Sequence, residues 1–361
     1  MNAHLRPEFW SGKRVFISGH TGFKGSWLSI WLQSLGAIVK GYALQPSTTP
    51  CLFSKLQLDD LMESEIGDIN DYPSLYASVA EFKPDIVFHL AAQPLVRQSY
   101  KDPLETFLTN IVGTAHLLQA CASVGSARAV VNVTTDKCYQ NNEWLWGYRE
   151  TDSLGGYDPY SASKACSELV TASYRQSFLA KNAIFVATAR AGNVIGGGDW
   201  SKDRLVPDIL SSMSDEQPLV IRNPQATRPW QHVLEPLSGY MRLSQALFLE
   251  GEAYAQAWNF GPLDSDVQPV SDVVDRLIEI SGTKLAWTAD DGENPHEAGA
   301  LKLDISKAVD QLGWRPRWRL QTALENVYAW HETDRQNGSI REVCLSQIED
   351  YTNEIVSVRQ T

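Results

Sequence analysis

Thr135, Asp136, Lys137, Tyr160 and Lys164 have the residue types and spacing for proton and hydride chemistry. The first three follow the apolar run Val130-Val131-Asn132-Val133. A hydroxyl, an acid and an amine therefore gather at the end of an expected strand. Side chains alternate along a strand, so Thr134 and Thr135 cannot face the same site. Tyr160 and Lys164 lie one helical turn apart and share one helix face. A cation near a tyrosine favours the phenolate and lowers its pKa. A phenolate can take the proton of an alcohol while a hydride leaves the same carbon. Taken alone, Tyr160 and Lys164 read first as a solvated helix pair, and the lesser alternative for Asp136-Lys137 is a turn salt bridge.

The element that must place a hydride acceptor beside them lies near the N-terminus. Val15-Phe16-Ile17-Ser18 leads into Gly19, His20, Thr21, Gly22, Phe23, Lys24 and Gly25. An apolar helical pattern follows, with Trp27, Leu28, Ile30, Trp31, Leu32 and Leu35. This reads as strand, tight turn and helix. Backbone N–H groups at such a helix start face an anion. Glycine is needed where a side chain would block a pyrophosphate. His20 and Lys24 intrude on this turn: both can crowd a pyrophosphate, and Lys24 can also pair with one.

The rest of the chain alternates short apolar runs with helical patterns, which predicts a parallel sheet covered on both faces. After a polar arm over 1–13, a βαβ unit spans 14–44. A strand over 64–69 ends in Asp68-Ile69, and a helix covers 71–82. The strand 85–90 closes on Leu90, Ala91 and Ala92, small enough at the end to approach a flat cofactor. Asp102-Pro103 opens a helix to about 122, and a strand spans 127–134. Asp158 caps and Pro159 starts a helix over 160–179, followed by a strand at 184–189. The stretch 141–157 is too irregular to assign. Beyond Arg190 a segment rich in Gly, Asp and Trp begins, with a strand at 219–222, a helix at 235–249 and a strand at 258–260. The expected division is a dinucleotide domain of 1–190 with about 230–262, and a smaller discontinuous domain of 191–229 with about 263–361.

Gly19-x-x-Gly22-x-x-Gly25, taken with Tyr160-x-x-x-Lys164, resembles the extended short-chain dehydrogenase/reductase family. The resemblance implies an α/β fold: a Rossmann-type doubly wound parallel sheet with a second, smaller α/β substrate domain. It also implies NAD as cofactor, although Leu44-Gln45-Pro46-Ser47 after the second strand carries neither a ribose-binding carboxylate nor a 2′-phosphate-binding arginine. The implied cofactor contacts are the turn residues, Asp68, Ile69, Leu90, Ala91, Ala92, Tyr160 and Lys164.

Asp136-Lys137, Ala91-Ala92-Gln93-Pro94-Leu95-Val96-Arg97, the run from Arg190 to Trp200, and Arg228-Pro229-Trp230-Gln231-His232-Val233 narrow the likeness. Together they resemble the nucleotide-sugar 4,6-dehydratases of that family, in particular those acting on CDP-glucose. Such a reaction oxidises C4, removes the C5 proton, expels the 6-hydroxyl as water and returns hydride to C6. Asp136 is then the acid, and Lys137 is the base, which requires its neutral form. A diphosphate needs cations: Arg228 first, then Arg222 and Arg204, with Asn193 and Asn259 as polar contacts. A 4-epimerase, a dehydratase of another nucleotide sugar, and a non-catalytic dinucleotide-binding regulator stay open.

The 361 residues, 43% hydrophobic, suffice for both domains. A net charge of −12 disfavours nucleic acid as a partner. Five scattered cysteines without C-x-x-C, and histidines without metal-ligand spacing, disfavour a disulfide scaffold and a metal site. The start carries no long apolar segment, and no stretch reaches membrane-spanning length without a charge. The expectation is a soluble cytoplasmic protein without a membrane partner. Its partner is a small nucleotide sugar, and the family resemblance implies a homodimer or higher homo-oligomer through helices near 105–122 and 160–179.

Overall fold

The apolar β-branched runs form a parallel sheet of seven strands. In the computed structural model, which describes residues 6–215, 217–290, 292 and 299–357, these are β1 (Arg14–Ser18), β2 (Ile38–Ala43), β3 (Glu63–Ile66), β4 (Ile86–His89), β5 (Ala129–Val133), β6 (Phe185–Ala191) and β7 (Ala257–Phe260). Their spatial order is β7-β6-β5-β4-β1-β2-β3. The order reverses between β1 and β4, and ligands of open α/β sheets bind at the strand ends beside such a reversal. β4 and β5 are buried along their whole length, as continuous apolar runs covered on both faces must be.

Alternation along the strands divides the core. Val15, Ile17, Phe88 and Val131 face α1 (Phe23–Ser34) and α5 (Leu234–Glu250). Phe16, Val87 and Val130 face α2 (Tyr72–Phe82) and α3 (Gly113–Val124), with α4 (Pro159–Tyr174) packed against α3. Asp158 caps its helix as expected, accepting from Ser161 N, and Asp71, expected as the first helical residue, is also a cap, accepting from Ser74 N. The run Pro103–Val124, which contains α3, is long and apolar enough to cross a membrane. It lies instead along α2 and α4, with Glu105 in its first turn.

A smaller lobe packs Val206, Ile209, Ile221, Val273, Leu277 and Leu324 into a core of their own. These come from helices Leu205–Asp215, Val270–Ser281 and Leu320–Arg335 and the strand Leu219–Ile221. Not all of the chain after 263 joins it. Helix α6 (Ile340–Ser357) lies on α1 of the sheet domain. Its Tyr351 packs edge-on against Trp31 and Trp318 and donates to Glu235 of α5 at 2.7 Å. Trp314 and Trp318 also sit in the sheet domain's core, so the expected second domain is corrected for these segments.

Two other expectations change. The arm over 1–13, of which 1–5 lie outside the described residues, is anchored: Pro7–Trp10 is helical and Trp10 is fully buried against Phe88. The strand expected to end in Asp68-Ile69 stops at Ile66. Ile69 turns its side chain into the core, where it leaves no room for a Cβ at position 113.

Candidate active site

The glycine turn has the shape of a phosphate cradle. Gly19 has φ +81, and a Cβ there would come within 2.6 Å of Ala91 N. A Cβ on Gly25 would collide with the Gly19 carbonyl at 2.1 Å, so the third glycine lets α1 pack onto the strand end. Gly22 is exposed, and the nearest atom to a Cβ there is 3.4 Å away. That open side is where a side chain would displace a ligand. Thr21 is tied to the Leu44 carbonyl at 2.9 Å, and Ser18 Oγ accepts from Ala91 N at 3.3 Å. Leu90, Ala91 and Ala92 thus line up beside the turn, and Phe23 starts α1 at its far side.

His20 does not crowd the turn. Its ring is fully buried, 2.7 Å from Ser64 Oγ and edge-on to Phe53, and burial lowers its pKa to about 4. The expectation that its side chain intrudes on the pyrophosphate is corrected; Gly41 leaves the space it turns into. Lys24 does face inward and lines the main cavity. Burial, with Arg204 and Lys164 nearby, lowers its pKa to about 7. Asp68 is exposed near the end of β3, where its carboxylate accepts from Asn70 N.

That cavity, of about 1000 Å³, lies between the strand ends and the smaller lobe. Thr135, Asp136, Lys137 and Tyr160 all line it. Thr135 donates to Asp136 at 3.0 Å and is hydrogen-bonded to Tyr160. Thr134, pointing the other way as strand alternation requires, donates to Glu168. Asp136 is 1% exposed; Lys137 Nζ lies 3.6 Å from its Oδ1, and its Oδ2 has no partner among the described residues. Position 192 must be glycine, because a Cβ there would press on that oxygen at 2.9 Å.

The Tyr160–Lys164 pair differs from the expectation. Lys164 donates to the Val133 carbonyl at 3.3 Å, and burial lowers its pKa to about 8. Burial drives the Tyr160 phenol up to about 12 against the opposing pull of Thr135. In this structure desolvation outweighs any lowering of the phenol's pKa by the lysine.

Beneath this group lies a clamp that sequence reasoning missed. Glu168, one turn past Lys164, receives Arg190 at 2.8 and 2.9 Å and Thr188 at 2.6 Å. Burial pushes its carboxyl up, yet Arg190 and the hydroxyls hold it below its ordinary value. Arg190 also donates to Tyr139 OH, which donates to Asn259 Oδ1, both at 2.7 Å. Asn259, expected as a substrate contact, does not line the cavity. It is fully buried and donates to the carbonyls of Tyr148 and Asp304, holding the 141–157 loop.

The other expected substrate residues do reach the cavity. Asn193 presents an Oδ1 with no partner among the described residues. Arg204 is paired with Asp199 at 2.8 Å and Arg222 with Asp203 at 2.9 Å. Arg228 is 7% exposed and donates to the Thr227 and Gly299 carbonyls. Arg97 was not expected, though its helix, Val96–Lys101, follows the end of β4, where such folds bind ligands. It also lines the cavity, 3.6 Å from Asp203.

Beside the glycine turn, Thr135, Asp136, Lys137 and Tyr160 share one cavity with Lys24, an arrangement that fits a nucleotide-dependent enzyme. The family model for GDP-mannose 4,6 dehydratase matches residues 16–327, and the chain belongs to that family. A CDP-glucose 4,6-dehydratase of Salmonella typhimurium is 55% identical over 352 residues, 96% of this chain and 98% of that enzyme. Among solved structures, an epimerase of Methanothermobacter thermautotrophicus superposes with a TM-score of 0.80 at 24% identity, covering 93% of this chain and 96% of its own. DesIV, a dTDP-glucose 4,6-dehydratase of Streptomyces venezuelae with NAD and TYD bound, gives 0.77 at 22%, covering 91% and 99%. The expected Rossmann-type architecture is thereby matched in solved proteins.

Proposed function

We propose that this protein dehydrates CDP-glucose to CDP-4-keto-6-deoxyglucose with NAD as cofactor. The observation that carries the reading is the buried Asp136 carboxylate, with one free oxygen, between Lys137 and the Thr135–Tyr160 pair. The 55% identical relative supplies the substrate. Gly19, Gly22 and Gly25 hold the cofactor's pyrophosphate, and Ala91 and Ala92 flank it. The nicotinamide supplies the hydride acceptor for C4 oxidation and the donor for C6. Thr135 orients the C4 hydroxyl, and Tyr160, as the phenolate that the positive charge of a bound oxidised nicotinamide would favour against burial, takes its proton. Lys164 places positive charge beneath that exchange. The new ketone acidifies C5, and Lys137 removes that proton. Asp136 protonates the departing 6-hydroxyl, because hydroxide is a poor leaving group.

Asn193, Arg204, Arg222 and Arg228 bind the nucleotide diphosphate. The sheet domain consists of 1–190 and about 230–262, joined by 306–318 and 340–357. The smaller lobe takes 191–229 and the rest of the chain after about 263. We place the protein in the cytoplasm as a homodimer. The apolar residues Leu104, Leu108, Leu169 and Phe178, each more than half exposed on the helices expected to pair, support that assembly. Sedimentation reads it directly, and a monomer at assay concentration contradicts it.

An assay with CDP-, dTDP-, GDP- and UDP-glucose tests the function, read by absorbance of the 4-keto sugar after base treatment. Turnover with CDP-glucose well above the others is expected. Preference for another nucleotide, or an epimerised product, overturns the reading.

A further inference from the structure

Asp203 lies at the rim of the cavity between two arginines that come from different lobes. Arg222 follows the smaller lobe's strand Leu219–Ile221, and its Nη1 donates to Asp203 Oδ1 at 2.9 Å. Its Nη2 donates to the Asp203 carbonyl at 3.2 Å. Arg97, on the helix Val96–Lys101 that follows β4, brings Nη1 to 3.6 Å from the same carboxylate oxygen. One oxygen thus serves two guanidinium groups across the cavity. All three side chains line the cavity and keep 25–39% exposure. Asp203 presents its carboxylate from a backbone with φ +63, a left-handed conformation uncommon outside glycine.

Two guanidinium groups converging from opposite sides suit an anion with more acceptors than one carboxylate has. A diphosphate carries several non-bridging oxygens and about two negative charges, and each guanidinium can engage it through paired N–H groups. A single carboxylate oxygen bound by one arginine and approached by another fills that position poorly. Its pairs are half-exposed, so water and salt weaken them. A better anion can therefore take both arginines at little cost.

We propose that Asp203 is an internal competitor for the substrate's diphosphate, holding Arg97 and Arg222 and yielding both to an incoming nucleoside diphosphate. The inference rests on the reading of this cavity as a nucleotide-sugar site. It assigns Arg97 to diphosphate recognition and gives Asp203 a positioning role that opposes affinity while keeping the two arginines aligned.

Calorimetric titration with CDP and with cytidine, at fixed ionic strength, tests it. Asp203→Asn removes the competing charge from a half-exposed site. CDP should bind about three- to tenfold more tightly to this variant, the scale of two exposed ion pairs. Cytidine, which lacks phosphates, should bind as it does to the wild type. Asp203→Glu restores a carboxylate and should bring CDP affinity back within about twofold of wild type. Unchanged or weaker CDP binding by Asp203→Asn overturns the proposal, as does an equal gain for cytidine. A wild-type protein that binds neither CDP nor cytidine overturns the nucleotide-sugar reading itself.

Discussion

Behind one wall of the cavity Glu168 and Arg190 are 4% and 3% exposed and are joined by two hydrogen bonds of 2.8 and 2.9 Å. On the other, Arg97 and Arg222 keep 30% and 25% exposure beside Asp203, itself 39% exposed. The first wall carries β5 and α4, and with them Thr135, Asp136, Tyr160 and Lys164. The second carries the arginines proposed to meet the nucleotide. Breaking a buried pair leaves an uncompensated charge and costs about 3–5 kcal/mol, whereas an exposed pair is worth roughly 0–1 kcal/mol. Proton transfer needs atoms held still, and the dry wall holds them. Recognition needs charges that exchange partners, and the wet wall lets them.

The largest effects should come from the reacting groups on the dry wall. Asp136→Asn keeps size and hydrogen bonding but cannot deliver a proton, so dehydration should fall by ~10²–10⁴-fold. A 6-deoxy-6-fluoro substrate loses fluoride with little need of protonation, and on it the variant should recover most of its elimination rate. Lys137→Met should not recover on the fluoro substrate. In a single turnover on CDP-glucose it should accumulate reduced cofactor, seen as NADH absorbance. Equal impairment of both variants on both substrates would make Asp136-Lys137 a structural turn.

Next in size is the contrast between the walls themselves. Glu168→Gln should lower unfolding stability by about 3–5 kcal/mol, because Arg190 stays buried without its charge. Asp203→Asn, on the wet wall, where the carboxylate is 39% exposed, should lose no more than about 1 kcal/mol. Urea midpoints with unchanged slopes measure both. Similar losses would erase the distinction.

The smallest effect concerns Lys24, where the two walls meet. Its folded pKa is about 7, against ~10.4 when unfolded. Between those values the unfolded chain binds the extra proton, so the wild type gains stability as pH rises. Lys24→Met should therefore melt a few degrees above wild type near pH 7, with the gap shrinking towards pH 10. A gap independent of pH would show that Lys24 is not desolvated in the fold.

The dry wall was largely legible in the sequence because its signals are local. A strand end followed by Thr135-Asp136-Lys137, a one-turn Tyr160–Lys164 spacing and a capped helix start each lie within a few residues. The glycine turn was legible for the same reason, yet the direction of the His20 ring was not, since it depends on Gly41 and Ser64 in neighbouring strands. The wet wall was legible only as a supply of arginines. Which aspartate each one meets depends on loops that the fold brings together, so Arg97 and Asp203 escaped notice. Asn259 was expected as a polar contact from the family resemblance, and the sequence around it does not show what its side chain meets in the fold. Its partners Tyr139, Tyr148 and Asp304 lie 45 or more residues away. The role of α6 was hidden for a similar reason: Tyr351 is buried by residues far from it in sequence, among them Trp31, Glu235, Ser238 and Trp318.

The central claim is that one cavity oxidises C4, eliminates water across C5 and C6, and returns the same hydride to C6. CDP-glucose carrying deuterium at C4 follows that hydride directly, with the product read by NMR and mass spectrometry. The account predicts that the deuterium appears on the C6 methyl group of the 4-keto-6-deoxy product, with a solvent-derived proton at C5. Deuterium retained at C4 of an epimerised sugar, or lost to solvent with no label at C6, would contradict it.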